Sequence, residues 1–378
     1  MLDSDERPPQ EQTLARVHGG NIQQVLLEFD LRDVQLLDFS SNVNPSGLPL
    51  RAAERIARDA ANLALLQRYP DVRALELRQV LSAKHRIGED CIVIGAGAAE
   101  LIAASIRALR ARACLCPIPA FGEYRFACIA SGCAFNTFQL EPEEDFHLDI
   151  DKVCRALAHR ACDVLIINNP HNPSGLLLPP DFVWRIIDAA QRANTAVLLD
   201  EAFVDYCPSA SLTRQTAETP SVIALRSLTK FYGCPGLRVG YAVAMPSLAA
   251  SITAQLQPWP VTVLALNAAT EALRDGEFEV TSVESNERER SRVAENLRNL
   301  EFRVYPSAAN FLFVQVPAVR LSATQIWTSL ITDYSIHLRN CDSFEGLPVG
   351  QYLRAAIRSS AENDRLVEAL RHVLERRK

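Results

Sequence analysis

The chain has 378 residues, a formal net charge of −6, and 48% hydrophobic against 22% charged residues. That length allows two or three domains around a large core, and the acidic balance excludes a nucleic-acid binder held by bulk positive charge. No apolar run approaches the ~20 residues of a membrane span. No secretory signal pattern is evident, so the ten cysteines are expected to be reduced thiols of a cytoplasmic protein, with no metal site among them.

The first twelve residues, MLDSDERPPQEQ, are polar and read as a frayed terminus. From about 90 to 245, short apolar runs alternate with helical stretches. CIVI (91–94), ACLC (113–116), VLII (164–167), AVLLD (196–200), VIAL (222–225) and YAVA (241–244) predict strands. AAELIAASIRALRA and PDFVWRIIDAAQRA predict helices between them. Continuous apolar strands alternating with helices imply a mainly parallel sheet covered on both faces, an α/β fold with a large three-layer domain. Beyond it, a polar helix (277–299), a strand NFLFVQV (310–316), a helix (322–332), strands around SIHL (335–338) and QYLRAAI (351–357) and a closing helix (361–376) predict a smaller α+β domain. The expected division is an N-terminal arm (1–46) packing on the small domain, a large domain (47–276) and the small C-terminal domain (277–378).

In such sheets, ligands bind beyond the carboxyl ends of the strands, so the residues that follow each strand are the candidates. After CIVI, GAGAAEL places Gly95, Gly97, Ala98, Ala99 and Glu100 at a helix start, where free N–H groups can hold a phosphate; a purely structural Gly turn is the alternative. After ACLC, PIPAFGEY offers Phe121, either as a stacking ring or as core. After VLIIN, the turn NPHNPSG (169–175) presents Asn172 as a neutral hydrogen-bonding group. Asp200 ends AVLLD, where a carboxylate is costly unless paired. A pyridinium N–H would serve as its partner, and a helix cap or a structural salt bridge is the competing reading.

Lysine occurs only at 84, 152, 230 and 378. Lys84 reads as part of a charged loop, Lys152 as the opening of a solvated helix and Lys378 as the terminus. Lys230 alone follows an apolar strand, thirty residues after Asp200 and beside aromatic and Pro/Gly residues. That setting suits an imine-forming lysine, which must be sheltered and deprotonated. Ser227 and Arg238 would complete a phosphate cup with Gly97. Together these residues point to pyridoxal 5′-phosphate (PLP) held on Lys230.

NPHNPSG, DEAF (200–203) and SLTKFYGCPGLRVGY (227–241) resemble the signatures of fold-type I PLP enzymes, the class I/II aminotransferases, in their histidinol-phosphate aminotransferase branch. HGGN (18–21), LDFSSNVNPSGLP (37–49) and RYPD (68–71) are similar to the L-threonine-O-3-phosphate decarboxylase subgroup of cobalamin biosynthesis. The resemblance spans about residues 13 to 376. It implies that Lys230 carries the cofactor, Asp200 pairs with its ring nitrogen, Asn172 holds its ring hydroxyl and Phe121 stacks on it. Ala98, Ala99, Ser227 and Arg238 would bind its phosphate. Tyr69 would reach the cofactor phosphate of a second subunit, so a homodimer is implied. Arg354 and Arg339 would bind the substrate's carboxylate and phosphate, with His18 and Asn44 closing from the arm. Aminotransferases of the branch usually carry Tyr where this chain has Phe203, a departure shared with the decarboxylase subgroup. The implied activity is decarboxylation of threonine phosphate to (R)-1-amino-2-propanol phosphate. Transamination of histidinol-phosphate type is the alternative, and a catalytically inert PLP-binding regulator is the reading outside enzymology.

Overall fold

The computed structural model describes residues 16–31, 34–159, 162–317 and 321–376. The polar run at the start of the chain and Lys378 lie outside them.

After a two-residue strand β1 (Leu37–Asp38), seven strands build the large sheet: β2 (Ile92–Gly95), β3 (Ala113–Ile118), β4 (Ala134–Gln139), β5 (Val164–Asn168), β6 (Ala196–Asp200), β7 (Val222–Ser227) and β8 (Gly240–Val243). Their spatial order is β2-β8-β7-β6-β5-β3-β4. All neighbours are parallel except β8, which runs antiparallel to both β2 and β7. The six apolar runs all enter this sheet. Its edge strand β4, AFNTFQ, was not expected; it is half-exposed and partly polar, so it lacks the apolar run that marks a covered strand.

Alternation of side chains puts two separate cores on the sheet faces. Leu165, Ile167 and Leu199 pack on one side against Val183, Ile186 and Ile187 of the helix Pro180–Arg192. Ile166, Leu198 and Ile223 pack on the other against Leu101, Ile102 and Ile106 of the helix Ala98–Ala108.

The second sheet comprises β9 (Arg303–Val304), β10 (Phe311–Gln315), β12 (Arg339–Asn340) and β13 (Tyr352–Ala356), all antiparallel in the order β12-β13-β10-β9. The helices Ala323–Tyr334 and Ser360–Glu375 cover it through Ile326, Leu330, Leu366 and Leu370. Between them lies β11 (Ile336–His337), which leaves this sheet and pairs in parallel with β1. The single strand read at SIHL is therefore divided between two sheets. Lys84 also differs from its expected loop: it closes the helix Leu75–His85 and bonds Glu279 at 2.5 and 2.7 Å.

The arm touches both domains. Val25 and Leu36 pack on Ile331 of the small domain. The loop that follows β1 reaches the large domain, where the Asn44 N–H donates to the Lys230 carbonyl at 3.0 Å. There, Gly233 has φ +60°, and a Cβ on it would lie 2.3 Å from the Gly47 carbonyl oxygen. Gly233→Ala would thus displace backbone as well as strain it, whereas Gly47→Ala meets open space despite φ +72°. Urea unfolding should show Gly47→Ala losing only the left-handed strain, about 1 kcal/mol, and Gly233→Ala losing clearly more. Equal losses would show that the arm yields freely.

Candidate active site

Antiparallel β8 brings a distant segment to the strand ends. Gly240 stands in register with Gly95 on one side and with Ser227 on the other. The chain entering β8, with Arg238, therefore lies beside the carboxyl ends of β2 and β7. Those ends, together with the ends of β3, β5 and β6, floor a cavity of about 910 Å³. The arm and the small domain supply its other walls. Lys230, Asp200, Asn172, Phe121, Phe203, Ala98, Ala99, Ser227, Arg238, His18, Arg339 and Arg354 all line it.

Lys230 sits in the short helix Leu228–Phe231 that follows β7. Burial, then the positive charges of Arg354 and Arg238, lower its amine to about 8, against the pull of Asp200. Asp200 is buried at the end of β6. Its Oδ2 accepts from the Tyr124 hydroxyl at 2.7 Å and its Oδ1 from the Ala202 N–H at 2.9 Å. Burial pushes this carboxyl upward, while the two donors work against that shift. Tyr124, on the helix Glu123–Ala130, was missed in the sequence, although it lies three residues after Phe121 within the quoted PIPAFGEY segment. Phe121 meets Tyr124 edge-on at 5.6 Å, and Phe203 packs edge-on against Phe311 at 5.1 Å.

At the start of the helix Ala98–Ala108, Gly97 has φ +87°, and a Cβ there would lie 2.8 Å from an Arg238 guanidinium nitrogen. A side chain at 97 would narrow the space between the helix N-terminus and this arginine. Ser227 Oγ bonds Thr229 Oγ1 at 2.8 Å, and Thr229, also unforeseen, lines the cavity beside it. Free N–H groups, two hydroxyls and a guanidinium thus surround one small space, a donor set that suits a phosphate.

The opposite wall carries the two substrate candidates. Arg339 on β12 and Arg354 on β13 are direct cross-strand partners, and both are buried. Like charges directly opposed in a sheet destabilise it, and neither has a carboxylate partner among the described residues. Arg354 donates to Asn172 Oδ1 and, at 3.0 Å, to the Ser40 carbonyl; its Nε has no partner. Arg339 donates to the Val17 carbonyl at 2.9 Å, to Ser343 Oγ at 2.5 Å and to the Asn340 carbonyl at 2.8 Å. Burial lowers both, Arg354 to about 10.

One arm residue, Asn44, lies differently from expectation. Asn44 is not in the cavity wall: its Nδ2 donates to the Phe231 carbonyl at 2.8 Å and to Ser282 Oγ at 2.9 Å, so it braces the Lys230 turn. Asn42, two residues earlier in the same SSNVNP run, does line the cavity, and its buried Oδ1 lacks a partner. Repeated Asn residues in one loop gave no sequence signal to choose between them. His18 lines the cavity but bonds Glu123 Oε1 at 2.7 Å. Tyr69 is 78% exposed, outside this cavity, and stacks on Trp259 at 4.4 Å.

PLP fits this donor set. Among the described residues, Lys230 is the only lysine in the cavity wall, Asp200 is a buried carboxylate without a cationic hydrogen-bond partner, Asn172 Nδ2 has no partner, and Gly97 keeps open the space between the helix N-terminus and Arg238.

The family model described as aminotransferase class I and II matches residues 34–370. A threonine-phosphate decarboxylase of Salmonella typhimurium is 35% identical over 94% of this chain and 96% of its own length. The crystal structure of a histidinol-phosphate aminotransferase from Clostridium acetobutylicum superposes with a TM-score of 0.82 at 29% identity, over 90% of this chain and all of that one. A histidinol-phosphate aminotransferase from Sinorhizobium meliloti, solved in complex with PLP, shares the fold with a TM-score of 0.86 at 21% identity, over 99% of both chains.

Two outcomes follow from the geometry. The rate at which the apoprotein captures added PLP should rise with pH through about 8 as the Lys230 amine loses its proton. Arg354→Ala removes a neighbouring positive charge and should move that midpoint upward in stopped-flow measurements; an unchanged midpoint contradicts the coupling. Tyr124→Phe leaves a buried carboxylate oxygen without its donor, and should raise the Kd for PLP at least ~5-fold in spectroscopic titration. An unaltered Kd would show that Asp200 is held without it.

Proposed function

The chain belongs to the class I and II aminotransferase family and works with PLP, and from this we propose that it decarboxylates L-threonine O-3-phosphate to (R)-1-amino-2-propanol phosphate, a step of cobalamin biosynthesis. The carrying observation is the buried pair Arg339 and Arg354, opposed in register without a carboxylate and facing the cavity of Lys230. A substrate with both a carboxylate and a phosphate arm brings the negative charge that this pair lacks, and guanidinium groups bind either arm bidentately.

Bound PLP supplies an electron sink that weakens the bonds at the substrate Cα. The chain's residues do the rest. Asp200, steadied by Tyr124, would keep a proton on the ring nitrogen. Asn172, through Nδ2, and Phe121, both in the cavity wall, would help hold the cofactor ring. Arg354 and Arg339 would fix the two anionic arms, and so the orientation of the substrate at Cα. Lys230, with its amine lowered to about 8, accepts and returns protons near neutral pH. Phe203 carries no hydroxyl and packs on Phe311, so the ring hydroxyl receives one donor fewer than with a tyrosine there. The 35% identity to a threonine-phosphate decarboxylase supports the same reading.

A cavity of about 910 Å³ also has room for a larger amino compound. The second reading is therefore transamination of histidinol-phosphate type, supported by the similarity to such enzymes. Incubation with L-threonine phosphate without any 2-oxo acid separates the two. Release of CO₂ with aminopropanol phosphate supports the first reading; no CO₂, together with amino transfer from histidinol phosphate to 2-oxoglutarate, supports the second.

The functional unit proposed is a homodimer. Tyr69, Leu63, Leu66, Val72 and Trp259 are exposed, and a second copy would cover them while Tyr69 reaches its partner's cofactor phosphate. Sedimentation should give twice the chain mass, and Tyr69→Phe should weaken PLP binding without dissociating the dimer. A monomeric holoenzyme would contradict this part.

A further inference from the structure

Cysteine spacing in this chain shows no paired metal motif, yet folding collects three thiols. Cys114 is the second residue of β3, Cys128 lies in the helix Glu123–Ala130, and Cys133 follows the turn after it. Their sulfur atoms all lie within 4.8 Å of one another, with Cys114 and Cys133 at 3.4 Å. All three are buried and free. We propose that they form a three-thiolate site for a soft, thiophilic d10 metal ion, separate from the PLP cavity and independent of the reaction proposed above.

The geometry suits that ligand class. A zinc-like ion bonds sulfur at about 2.3 Å, which sets three ligand sulfurs about 3.8–4.0 Å apart. The observed spacing brackets that value, so small side-chain rotations complete the site. Thiolate ligands select zinc and copper(I) over hard cations. Binding of a divalent ion displaces one proton from each sulfur to solvent, leaving a complex of net charge −1, and needs no oxidant. An entry path lies at the turn, where Gly132 and Ala134 are exposed on either side of Cys133. Occupancy would tie β3 to the helix that carries Tyr124, and so stiffen the support of Asp200.

The test uses reduced holoenzyme and Cd²⁺ alone as probe. The proposal expects one ion per chain with sulfur-to-cadmium charge-transfer absorbance, and release of about three protons. Cys114→Ala, Cys128→Ala and Cys133→Ala should each weaken binding ~10-fold or more, while Cys116→Ala and the exposed Cys154→Ala leave it intact. X-ray absorption on the unaltered protein, which does not depend on variants folding, should count three sulfur ligands. Absence of stoichiometric binding, fewer than three sulfurs, or loss that follows Cys154 instead would overturn the site.

Discussion

Two buried arginines opposed in register on neighbouring strands are the constraint around which this molecule is arranged. Arg339 and Arg354 occupy opposed positions on β12 and β13, where like charges repel and burial removes the water that would screen them. Backbone carbonyls of Val17, Ser40 and Asn340 and the side chains of Asn172 and Ser343 partly satisfy them. None of these groups is an anion. A fold that retains such a pair keeps an electrostatic deficit that a doubly anionic ligand removes, and this ties the small domain's sheet to the chemistry on the large one.

The same positive wall acts on Lys230. Its amine is lowered by burial first and by Arg354 and Arg238 next, so the groups suited to hold anions also bring the lysine's deprotonation down to about pH 8. Asp200 supplies the opposing charge from β6, fixed on both oxygens by Tyr124 and Ala202. The strand order explains how so many groups meet. Parallel strands bring their carboxyl ends to one edge, and the single antiparallel strand β8 carries Arg238 back to that edge beside Gly97 and Ser227.

Six strands of the large sheet were legible because they are continuous apolar runs, and residues that follow β2, β3, β5, β6 and β7 line the cavity. Local signals failed where long-range placement decides the outcome. Strand β4 is half-polar at an edge, and β11 leaves its neighbours to pair with β1. Asn44 and Asn42 share one motif, yet register turns the first toward the Lys230 turn and the second into the cavity. Tyr124 was hidden because its partner, Asp200, is seventy-six residues away. The opposition of Arg339 and Arg354 likewise depends on strand register, which neither local sequence reveals.

On the proposed function, this paired positive wall recognises a phosphate-bearing amino acid. Calorimetric titration of the holoenzyme with L-threonine O-3-phosphate and with L-threonine tests it most directly, with Arg339→Ala as the comparison. Truncating one partner of a buried charge pair costs about 2 kcal/mol or more, so the phosphorylated ligand should bind at least ~30-fold tighter than threonine, and Arg339→Ala should remove most of that difference. Equal affinity for the two ligands, or a preference that survives the substitution, would contradict the account.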